Sequence, residues 1–337
     1  MRRILIVKLG ALGDVVHAIP VAAALRRAFP SARIDWLISS KHREILDLVP
    51  VIDRRLVLND SRLFEVIREL RGSKYDVAID LQGLIKSAVL ARASGAPRVV
   101  GFTPRYARER AASWFYTDRH DPGGGGMYHV DERHVVYTNL GVLRTLGIEP
   151  GPPEFPLEQI ESAVAARVAE QTGGRYAILN AGAAWPNKRW PPARLAMVAM
   201  ELRARYALPS VAVWGPDEEW LARELVEKSS RAALLSPQTT IADVVALARG
   251  ASLYLSGDTG PAHIAAAVGT PVVGIYGPTR PSRNGPWLAE DVTVSRSDVC
   301  RCHHLRQCRM KTMCLEDIQV AEVMAAVEKR MQGSKHG

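Results

Sequence analysis

Two glycine-rich turns carry the residue types that could act on a phosphorylated ligand. The first lies at residues 8–20, KLGALGDVVHAIP, where Gly10 and Gly13 follow an apolar run and Asp14 comes directly after. A dinucleotide fingerprint needs three glycines as G-x-G-x-x-G, and a P-loop ends in Gly-Lys-Ser/Thr, so neither pattern is present. Because a carboxylate repels a phosphate, Asp14 needs another role, and the plainest is the N-cap of a helix predicted over 14–28.

The second turn, LSGDTGPAHIAAAVGTPVVGIYGPT at residues 255–279, is predicted to bind a diphosphate. A strand leads into this turn, and Pro261 suits the first turn of the helix that follows. The free N–H groups and the positive dipole end of that helix favour an anion, and His263 lies one turn further on. Taken singly, Asp258 and Thr259 are also ordinary N-cap residues, and His263 is equally typical of a protein surface.

Strand-like and helix-like segments alternate along the chain, which is typical of parallel sheets flanked by helices. The first half closes with a helix predicted at about 130–146. Residues 147–156, GIEPGPPEFP, have the composition of a linker, and the alternation then resumes. The pattern predicts an α/β protein of two Rossmann-like domains facing a central cleft, the architecture called GT-B in glycosyltransferases, with ligands beyond the carboxyl ends of the strands. The predicted parts are a domain at 1–150, a domain at 157–315, and a C-terminal helix and tail at 316–337.

The composition is that of a basic globular protein. Its 337 residues favour about two domains. The net charge of +9 and the pI of about 9.6 suit a nucleic acid, an anionic membrane surface or a phosphorylated substrate, but no nucleic-acid-binding motif accompanies the charge. Lys8 interrupts the N-terminal apolar run, and no stretch approaches the ~20 apolar residues of a membrane span. We therefore expect a cytoplasmic protein without a secretory signal.

Both turns belong to a longer set of motifs that resembles glycosyltransferase family 9, the ADP-heptose:lipopolysaccharide heptosyltransferases. The resemblance covers nearly the full chain. In chain order the motifs are ILIVKLGALGDVVHAIP at 4–20, YDVAIDLQGLIKSA at 75–88, GF at 101–102 with ARERAASWFY at 107–116, NAGAAWPNKRWP at 180–191 and SGDTGPAHIAAAVGTPVVGIYGPT at 256–279.

The resemblance implies an enzyme of GT-B fold that transfers L-glycero-D-manno-heptose from ADP-heptose, with inversion, to the lipopolysaccharide inner core. The acceptor would be Kdo or the first heptose of a lipid A-Kdo inner core. It implies no catalytic metal and no other required cofactor, and no nucleic acid as partner. Together with the basic charge, an anionic acceptor implies a protein peripheral to the cytoplasmic face of the inner membrane.

The resemblance also implies roles for individual residues. Asp14 would be the general base that accepts the proton of the acceptor hydroxyl, and Lys188 would neutralise the leaving ADP. Asp217 aligns with the acid that meets the ribose, although it can also simply start the next helix. The implied donor residues are Gly13, Ala183, Ala184, Lys188, Asp217, Asp258, Thr259, Gly260 and His263, where the two alanines replace hydroxyl residues of the family. The implied acceptor residues are Arg62, Lys86 and Arg108.

The four cysteines all lie in CRCHHLRQCRMKTMC at 300–314. Their C-x-C-x5-C-x5-C spacing departs from the structural zinc pattern, although His303 and His304 add two further ligands. Some members of the family carry a cysteine cluster in this region, and a protein-heptosylating subgroup is associated with iron there. Two interpretations stay open: a structural zinc or iron site at Cys300, Cys302, Cys308 and Cys314, or four reduced thiols.

Other functions are weighed against this one. An NAD-binding oxidoreductase would need the missing third glycine, although Asp35 stands at a distance that suits a ribose-binding acid. A non-catalytic, metal-dependent binding module would rest on the cysteine segment. Within the same class, an ADP-sugar-dependent glycosyltransferase that modifies a protein or another glycan would share the donor residues.

Overall fold

The computed structural model describes residues 1–127, 129, 133–303 and 305–333. It divides into two compact units, Met1–Glu158 and Gln159–Gly337. Each unit contains its own six-stranded sheet, and every pair of neighbouring strands is parallel. Among the described helices, none is both long and apolar enough to cross a bilayer.

The first unit places its strands in the order β3-β2-β1-β4-β5-β6. The strands are β1 Arg3–Val7, β2 Arg33–Ser39, β3 Arg54–Leu58, β4 Val77–Asp80, β5 Arg98–Phe102 and β6 Asp118–His120. The α-helices are α1 Leu12–Val16, α2 Ile19–Ala28, α3 Leu63–Gly72, α4 Ile85–Ala93 and α5 Val135–Gly141. Short 3₁₀ helices span Ser40–Leu48, Asp60–Arg62, Arg110–Phe115 and Val142–Leu146.

The second unit places its strands in the order β12-β11-β10-β7-β8-β9. The strands are β7 Ala177–Asn180, β8 Ser210–Val213, β9 Ala233–Leu235, β10 Leu253–Gly257, β11 Val272–Tyr276 and β12 Val292–Ser295. The α-helices are α6 Ala163–Thr172, α7 Pro192–Tyr206, α8 Glu219–Lys228, α9 Ile241–Gly250, α10 Gly260–Ala267, α11 Pro281–Asn284 and α12 Val320–Gly333. Two 3₁₀ helices span Pro186–Lys188 and Cys314–Asp317.

Both sheets therefore have the same doubly wound strand order. In each unit, successive strands are added on one side of the first strand and then on its other side. The reversal falls between β1 and β4 in the first unit and between β7 and β10 in the second. Ligands in open parallel sheets bind at this point, beyond the carboxyl ends of the strands. The central strands read as continuous apolar runs, such as the fully buried Ile4–Val7, because helices cover both faces of the sheet.

One face of the first sheet is covered by α3, α4 and the 3₁₀ helix Arg110–Phe115. Val66 of α3, Ala88 of α4 and Ala112 of the 3₁₀ helix pack in one core cluster with Leu5 and Val7 of β1. Full burial of such a Leu or Val side chain stabilises the fold by about 1.5–3 kcal/mol. This packing places the beginnings of α3 and α4 near the carboxyl edge of the sheet, because each helix returns antiparallel to the strands.

The helix predicted over 14–28 is two helices, α1 and α2. Pro20, in the first turn of α2, has no N–H to donate to a carbonyl four residues earlier, so a continuous helix would lose that bond. The first helix begins at Leu12 with Ala11 as its N-cap, so Asp14 lies inside α1 and is not its cap. The helix predicted at about 130–146 begins at Val135 and continues from 142 as a 3₁₀ helix, while Val130, Asp131 and Glu132 lie outside the described residues.

Candidate functional sites of the two units

A buried ion-pair cluster forms at the carboxyl end of β10 in the second unit. Lys188 Nζ lies 2.6 Å from Asp258 Oδ2, and His263 Nε2 lies 3.0 Å from Asp258 Oδ1. The Asp258 side chain is only 5% exposed. Burial alone would raise the pKa of Asp258, but the Lys188 charge and the His263 hydrogen bond hold that pKa well below its usual range. Asp258 is therefore ionised at neutral pH and fixes the position of the Lys188 ammonium.

Close packing of a 3₁₀ helix against the end of β10 brings Lys188 to this cluster. The 3₁₀ helix that ends at Lys188 follows β7, and Gly257 lies against it. A Cβ at Gly257 would come within 2.6 Å of the Lys188 carbonyl oxygen, so glycine is needed there for the approach. The Nζ atom also lies 4.5 Å from the centre of the Trp185 ring, a cation–π contact that further restrains the ammonium.

The beginning of α10 presents its N–H groups at the same strand end. Thr259 is the N-cap, because its side chain accepts a hydrogen bond from the Ala262 N–H, and Asn180 Nδ2 at the end of β7 donates to Thr259 Oγ1 over 3.4 Å. Gly260 is the first helical residue. Thr259, Gly260, Asp258 and His263 thus lie together at the reversal point between β7 and β10. The helix start that the sequence predicted is present, with Thr259 rather than Asp258 as its cap.

Of the two adjacent acids after β8, Glu218 and not Asp217 contacts residues 182–189. Asp217 is exposed in the turn and has a positive φ of 62°. Glu218 Oε1 accepts a hydrogen bond of 3.0 Å from Arg189 Nη2. Its other oxygen fills the space beside Gly182, where a side chain would collide with it. Glu218, and not Asp217, is therefore the acid that faces residues 182–189.

The two alanines that the sequence predicted to line a donor site differ in environment. Ala183 is buried and Ala184 is exposed, and the Ala183 carbonyl accepts a 2.9 Å hydrogen bond from Arg189 Nε. Arg189 thereby ties this segment to Glu218 through two contacts. The backbone of residues 182–184 is held next to that carboxylate, which the sequence pattern did not predict.

The first unit forms its own ion pair at the carboxyl end of its sheet. Asp14 Oδ2 lies 2.9 Å from Arg108 Nη2, and the Asp14 side chain is 17% exposed. Asp14 also accepts a 3.2 Å hydrogen bond from the Ala11 N–H within its own turn. Arg108 follows β5, and its neighbour Glu109 donates its backbone N–H to the Gly83 carbonyl over 3.0 Å. Asp14 and Arg108 were predicted separately, and the structure brings them together.

The turn that carries Gly10 and Gly13 is held by side chains from two other loops. Gln82 Oε1 accepts hydrogen bonds from the N–H groups of Leu9 (3.0 Å) and Gly10 (3.3 Å). The ring of His42 lies over Gly10, where a side chain would collide with it. Burial and the Lys41 charge lower the pKa of His42, against an opposing effect of Asp14. A neutral imidazole therefore stands beside this turn, and sequence reasoning missed it because only the strand order joins His42 to Gly10.

The other two predicted acceptor cations are exposed. Lys86 is the second residue of α4, whose first N–H, at Ile85, donates to Glu109 Oε2 over 2.6 Å. That bond places the beginning of α4 beside the segment that carries Arg108. Arg62 precedes α3 and forms an exposed ion pair with Glu65.

The four cysteines are free thiols, and their segment lies beside the loop that carries Lys188. Cys302 Sγ and Cys308 Sγ are 3.5 Å apart, and burial together with a hydrogen bond with Cys300 raises the pKa of Cys314 to about 12. Over the described ranges, no three His, Cys, Asp or Glu side chains are arranged to hold a metal ion. Those residues therefore do not support the predicted zinc or iron site, and the predicted ligand His304 lies outside them.

The same segment braces the loop of Lys188. Asn187 is buried, and its Nδ2 donates to the Leu305 carbonyl over 2.8 Å. His303 Nδ1 lies 3.0 Å from the carbonyl of Pro278, which follows β11. The segment thus supports two loops at the carboxyl edge of the second sheet.

Comparison with known proteins places the chain in a family. The profile described as "Glycosyltransferase family 9 (heptosyltransferase)" matches residues 63–314. "Lipopolysaccharide heptosyltransferase 1" of Pseudomonas aeruginosa is 30% identical over 318 residues, covering 88% of this chain and 85% of that protein. The structure of "E. coli heptosyltransferase WaaC with ADP" superposes with a TM-score of 0.72 at 25% identity, covering 98% and 99% of the two chains.

A second solved structure, the glycosyl transferase family 9 protein of Veillonella parvula, superposes with a TM-score of 0.81 at 23% identity and covers 98% of each chain. The predicted α/β class of the GT-B type is thereby confirmed, and the protein is a glycosyltransferase, not an oxidoreductase. The chain belongs to glycosyltransferase family 9.

Proposed function

We propose that this protein catalyses inverting, metal-independent transfer of L-glycero-D-manno-heptose from ADP-heptose to the lipopolysaccharide inner core, onto Kdo or the first heptose. The relatives support the reaction class, since they include a lipopolysaccharide heptosyltransferase and a heptosyltransferase solved with ADP. In this proposal the domain at 157–315 binds the nucleotide sugar and the domain at 1–150 binds the acceptor. In the same proposal, residues 316–337 would be a C-terminal helix and tail outside the nucleotide-sugar domain.

The observation that carries the proposal is the Lys188 ammonium fixed by buried Asp258 beside the beginning of α10. Two positive features meet there, a cation with little freedom and the N–H groups of a helix start. A diphosphate leaving group develops negative charge as the glycosidic bond breaks, and prearranged positive groups stabilise that charge. Lys188, Thr259 and Gly260 would therefore bind the diphosphate.

The remaining donor contacts follow from the same strand ends. Glu218 would accept hydrogen bonds from the ribose hydroxyls, in place of Asp217, because it is the acid that faces residues 182–184. The backbone at Ala183 and Ala184 would approach the nucleotide without side-chain hydroxyls. His263 would hold Asp258 in place for Lys188.

Asp14 would act as the general base in the first unit. A base must lie within hydrogen-bond reach of the acceptor hydroxyl, and Gly13 beside it leaves the backbone open to a sugar. The ion pair with Arg108 would make the availability of this base depend on the bound acceptor. A carboxylate or phosphate of the acceptor would compete for the guanidinium, which would free Asp14 to accept the proton.

The acceptor would be bound by cations on the carboxyl edge of the first sheet. Arg108 is the central one, and Lys86 and Arg62 would extend the binding surface. An inner core that carries carboxylates suits these side chains, and such an acceptor would place the enzyme at the cytoplasmic face of the inner membrane, as a peripheral protein.

Mass spectrometry of the products tests the proposal directly. Purified protein is incubated with ADP-heptose and either Kdo2-lipid A or its heptosylated form, with EDTA present throughout. We expect one added heptose on one of these acceptors, and an anomeric configuration by NMR opposite to that of the donor. If heptose is transferred to a protein or another glycan and to neither of these two acceptors, the proposed inner-core acceptor is wrong. Activity that returns only when Mg²⁺ is restored would contradict the metal-free mechanism.

A further inference from the structure

A strip of exposed apolar side chains lies on one face of the first unit. Phe64 in α3 is 84% exposed, and Trp114 in the 3₁₀ helix Arg110–Phe115 is 79% exposed. Ile85 and Val89, one turn apart in α4, are exposed as well. The three helices cover the same face of the first sheet, so these side chains share one outer surface, which we call the α3–α4 face. Large apolar side chains exposed at neighbouring positions mark an interaction surface.

The exposed charges of the α3–α4 face are mostly positive. The exposed cations are Arg62, Arg68, Arg71, Lys86, Arg92 and Arg110, against the exposed carboxylates Glu65, Glu69 and Glu109.

Each of these carboxylates already has a partner. Glu65 pairs with Arg62, Glu69 pairs with Arg54 of β3, and Glu109 accepts the Ile85 N–H. The outer side of α4 shows the pattern most clearly, because Ile85, Lys86, Val89 and Arg92 are exposed and the helix contains no acid. The face therefore presents apolar groups between cations.

We propose that the α3–α4 face docks the protein on an anionic lipid bilayer. Trp and Phe side chains partition to the headgroup level of a membrane, and Lys and Arg near an anionic leaflet add an attraction that salt screens. Aromatic side chains and Arg would also suit a protein interface, but the exposed cations are spread over α3, α4 and the 3₁₀ helix Arg110–Phe115, which suits the extended anionic surface of a bilayer better. The occupant that matches alternating aromatic and cationic groups is the lipid surface.

The face continues into the Asp14–Arg108 site. The Ile85 N–H bonds to Glu109, and Glu109 in turn bonds to Gly83, so the beginning of α4 is held against the segment that carries Arg108. Docking through this face would bring the bilayer surface beside the carboxyl edge of the first sheet. An acceptor anchored in the bilayer would then reach Asp14 from the lipid side. That last step rests on the proposed function, whereas lipid binding itself does not.

Vesicle co-sedimentation of the full chain tests the docking. The vesicles contain phosphatidylethanolamine with phosphatidylglycerol, or phosphatidylcholine alone, and no acceptor. We expect wild-type protein to bind the anionic vesicles and to release with salt, and Phe64→Ser/Trp114→Ser to bind at least about tenfold more weakly. The matched control is Trp220→Ser, because Trp220 is also exposed but lies in α8 of the second unit. Circular dichroism verifies that each variant is folded.

A charge reversal supplies the second arm. Arg92→Glu should weaken binding to anionic vesicles, whereas Arg203→Glu, at an exposed position of α7, should not. Equal binding by wild type and Phe64→Ser/Trp114→Ser would overturn the proposal. A dimer in sedimentation velocity that this variant dissociates, without vesicle binding by the wild type, would also overturn it and assign the face to a second copy of the chain.

An activity assay separates this inference from the proposed function. The Phe64→Ser/Trp114→Ser variant should retain wild-type transfer to a water-soluble inner-core sugar and lose transfer to the same sugar on lipid A in vesicles. A loss of similar size on both acceptors would contradict docking as the role of this face. A protein that transfers no heptose to either acceptor, but binds vesicles through this face, would contradict the proposed function and leave the docking inference supported.

Discussion

The two units share one strand order but hold the acid at the reversal point of the sheet in different ways. In the second unit, Asp258 is buried between Lys188 and His263. In the first unit, Asp14 is partly exposed and has Arg108 as its ion-pair partner. A carboxylate of the first kind orients a cation permanently. One of the second kind can exchange its partner for a ligand, which is what proton transfer requires. In the proposed mechanism the same topology therefore holds one structural acid, Asp258, and one reactive acid, Asp14.

The largest effect is expected at the reactive acid. Asp14→Asn should lower kcat by at least about 100-fold, because a general base contributes roughly that much or more, and should leave ADP affinity unchanged. Initial rates with saturating donor measure the first quantity, and calorimetry measures the second. Asp47→Asn is the control, since Asp47 is an exposed aspartate of the same unit paired with Arg55. Near wild-type turnover in Asp14→Asn would show that Asp14 is not the general base and serves only the local structure of its turn.

The structural acid should matter most for stability. Asp258→Asn should lower the free energy of unfolding by about 3 kcal/mol, because it leaves the Lys188 charge unpaired in a mostly buried site. The cost for Asp14→Asn should be under about 1 kcal/mol, since its pair is partly exposed. Chemical denaturation at neutral pH measures both. Equal costs would contradict the difference between the two acids.

The pH dependence of that stability has a definite sign. Because the folded protein holds the pKa of Asp258 below its usual range, ionised Asp258 contributes fully above the unfolded value of about 3.9. The contribution is lost as pH falls from there toward the native pKa. Wild-type protein should therefore keep its advantage over Asp258→Asn from neutral pH down to about pH 5 and lose it progressively in more acid solution. An advantage that disappeared already near neutral pH would refute the shift.

A smaller effect is expected from removing the cation of the second unit. Lys188→Ala should weaken ADP binding by about 10- to 100-fold, the value of one charge-assisted hydrogen bond. Calorimetric titration with ADP measures it. Lys228→Ala is the matched control, because Lys228 is an exposed lysine of the same unit paired with Glu224. Unchanged affinity in Lys188→Ala would remove this residue from the nucleotide site.

The smallest effect separates two neighbouring acids. Glu218→Gln should weaken ADP binding by about tenfold through loss of one hydrogen bond from the ribose to a charged group, and Asp217→Asn should not change it. The same titration measures both variants. A loss in Asp217→Asn with Glu218→Gln unaffected would restore the assignment that the sequence alone favours.

Elements with strong patterns were predictable from the sequence, and edge elements were not. The alternating pattern predicts helices over 192–206 and 260–268, and the structure has α7 at Pro192–Tyr206 and α10 at Gly260–Ala267. By contrast, β6 is the three-residue Asp-Arg-His, and β12 lies at the edge of its sheet. Neither segment carries an apolar run long enough to indicate a strand, because an edge strand is stabilised by its one neighbour rather than by burial on two sides.

The candidate sites were predictable as motifs but not as contacts. The second turn indicated Asp258 and His263, the family resemblance implied Lys188, and only the fold shows that Asp258 contacts both of the others. Glu218 was missed because the left-handed conformation of Asp217 decides which of two adjacent acids turns inward. His42 was missed because it lies after β2, and the pairing of β2 with β1 brings it over Gly10.

The second unit is proposed to bind the nucleotide and the first unit the acceptor. Hydrogen exchange of the full chain with and without ADP tests this assignment most directly. ADP should protect peptides that cover residues 180–189, 214–219 and 257–263, at the carboxyl ends of β7, β8 and β10. Protection of residues 8–14 and 105–110 should be weaker and should be the same in wild type and Asp14→Asn. Protection of residues 8–14 without protection of residues 257–263 would contradict the claim, because it would place the nucleotide on the first unit.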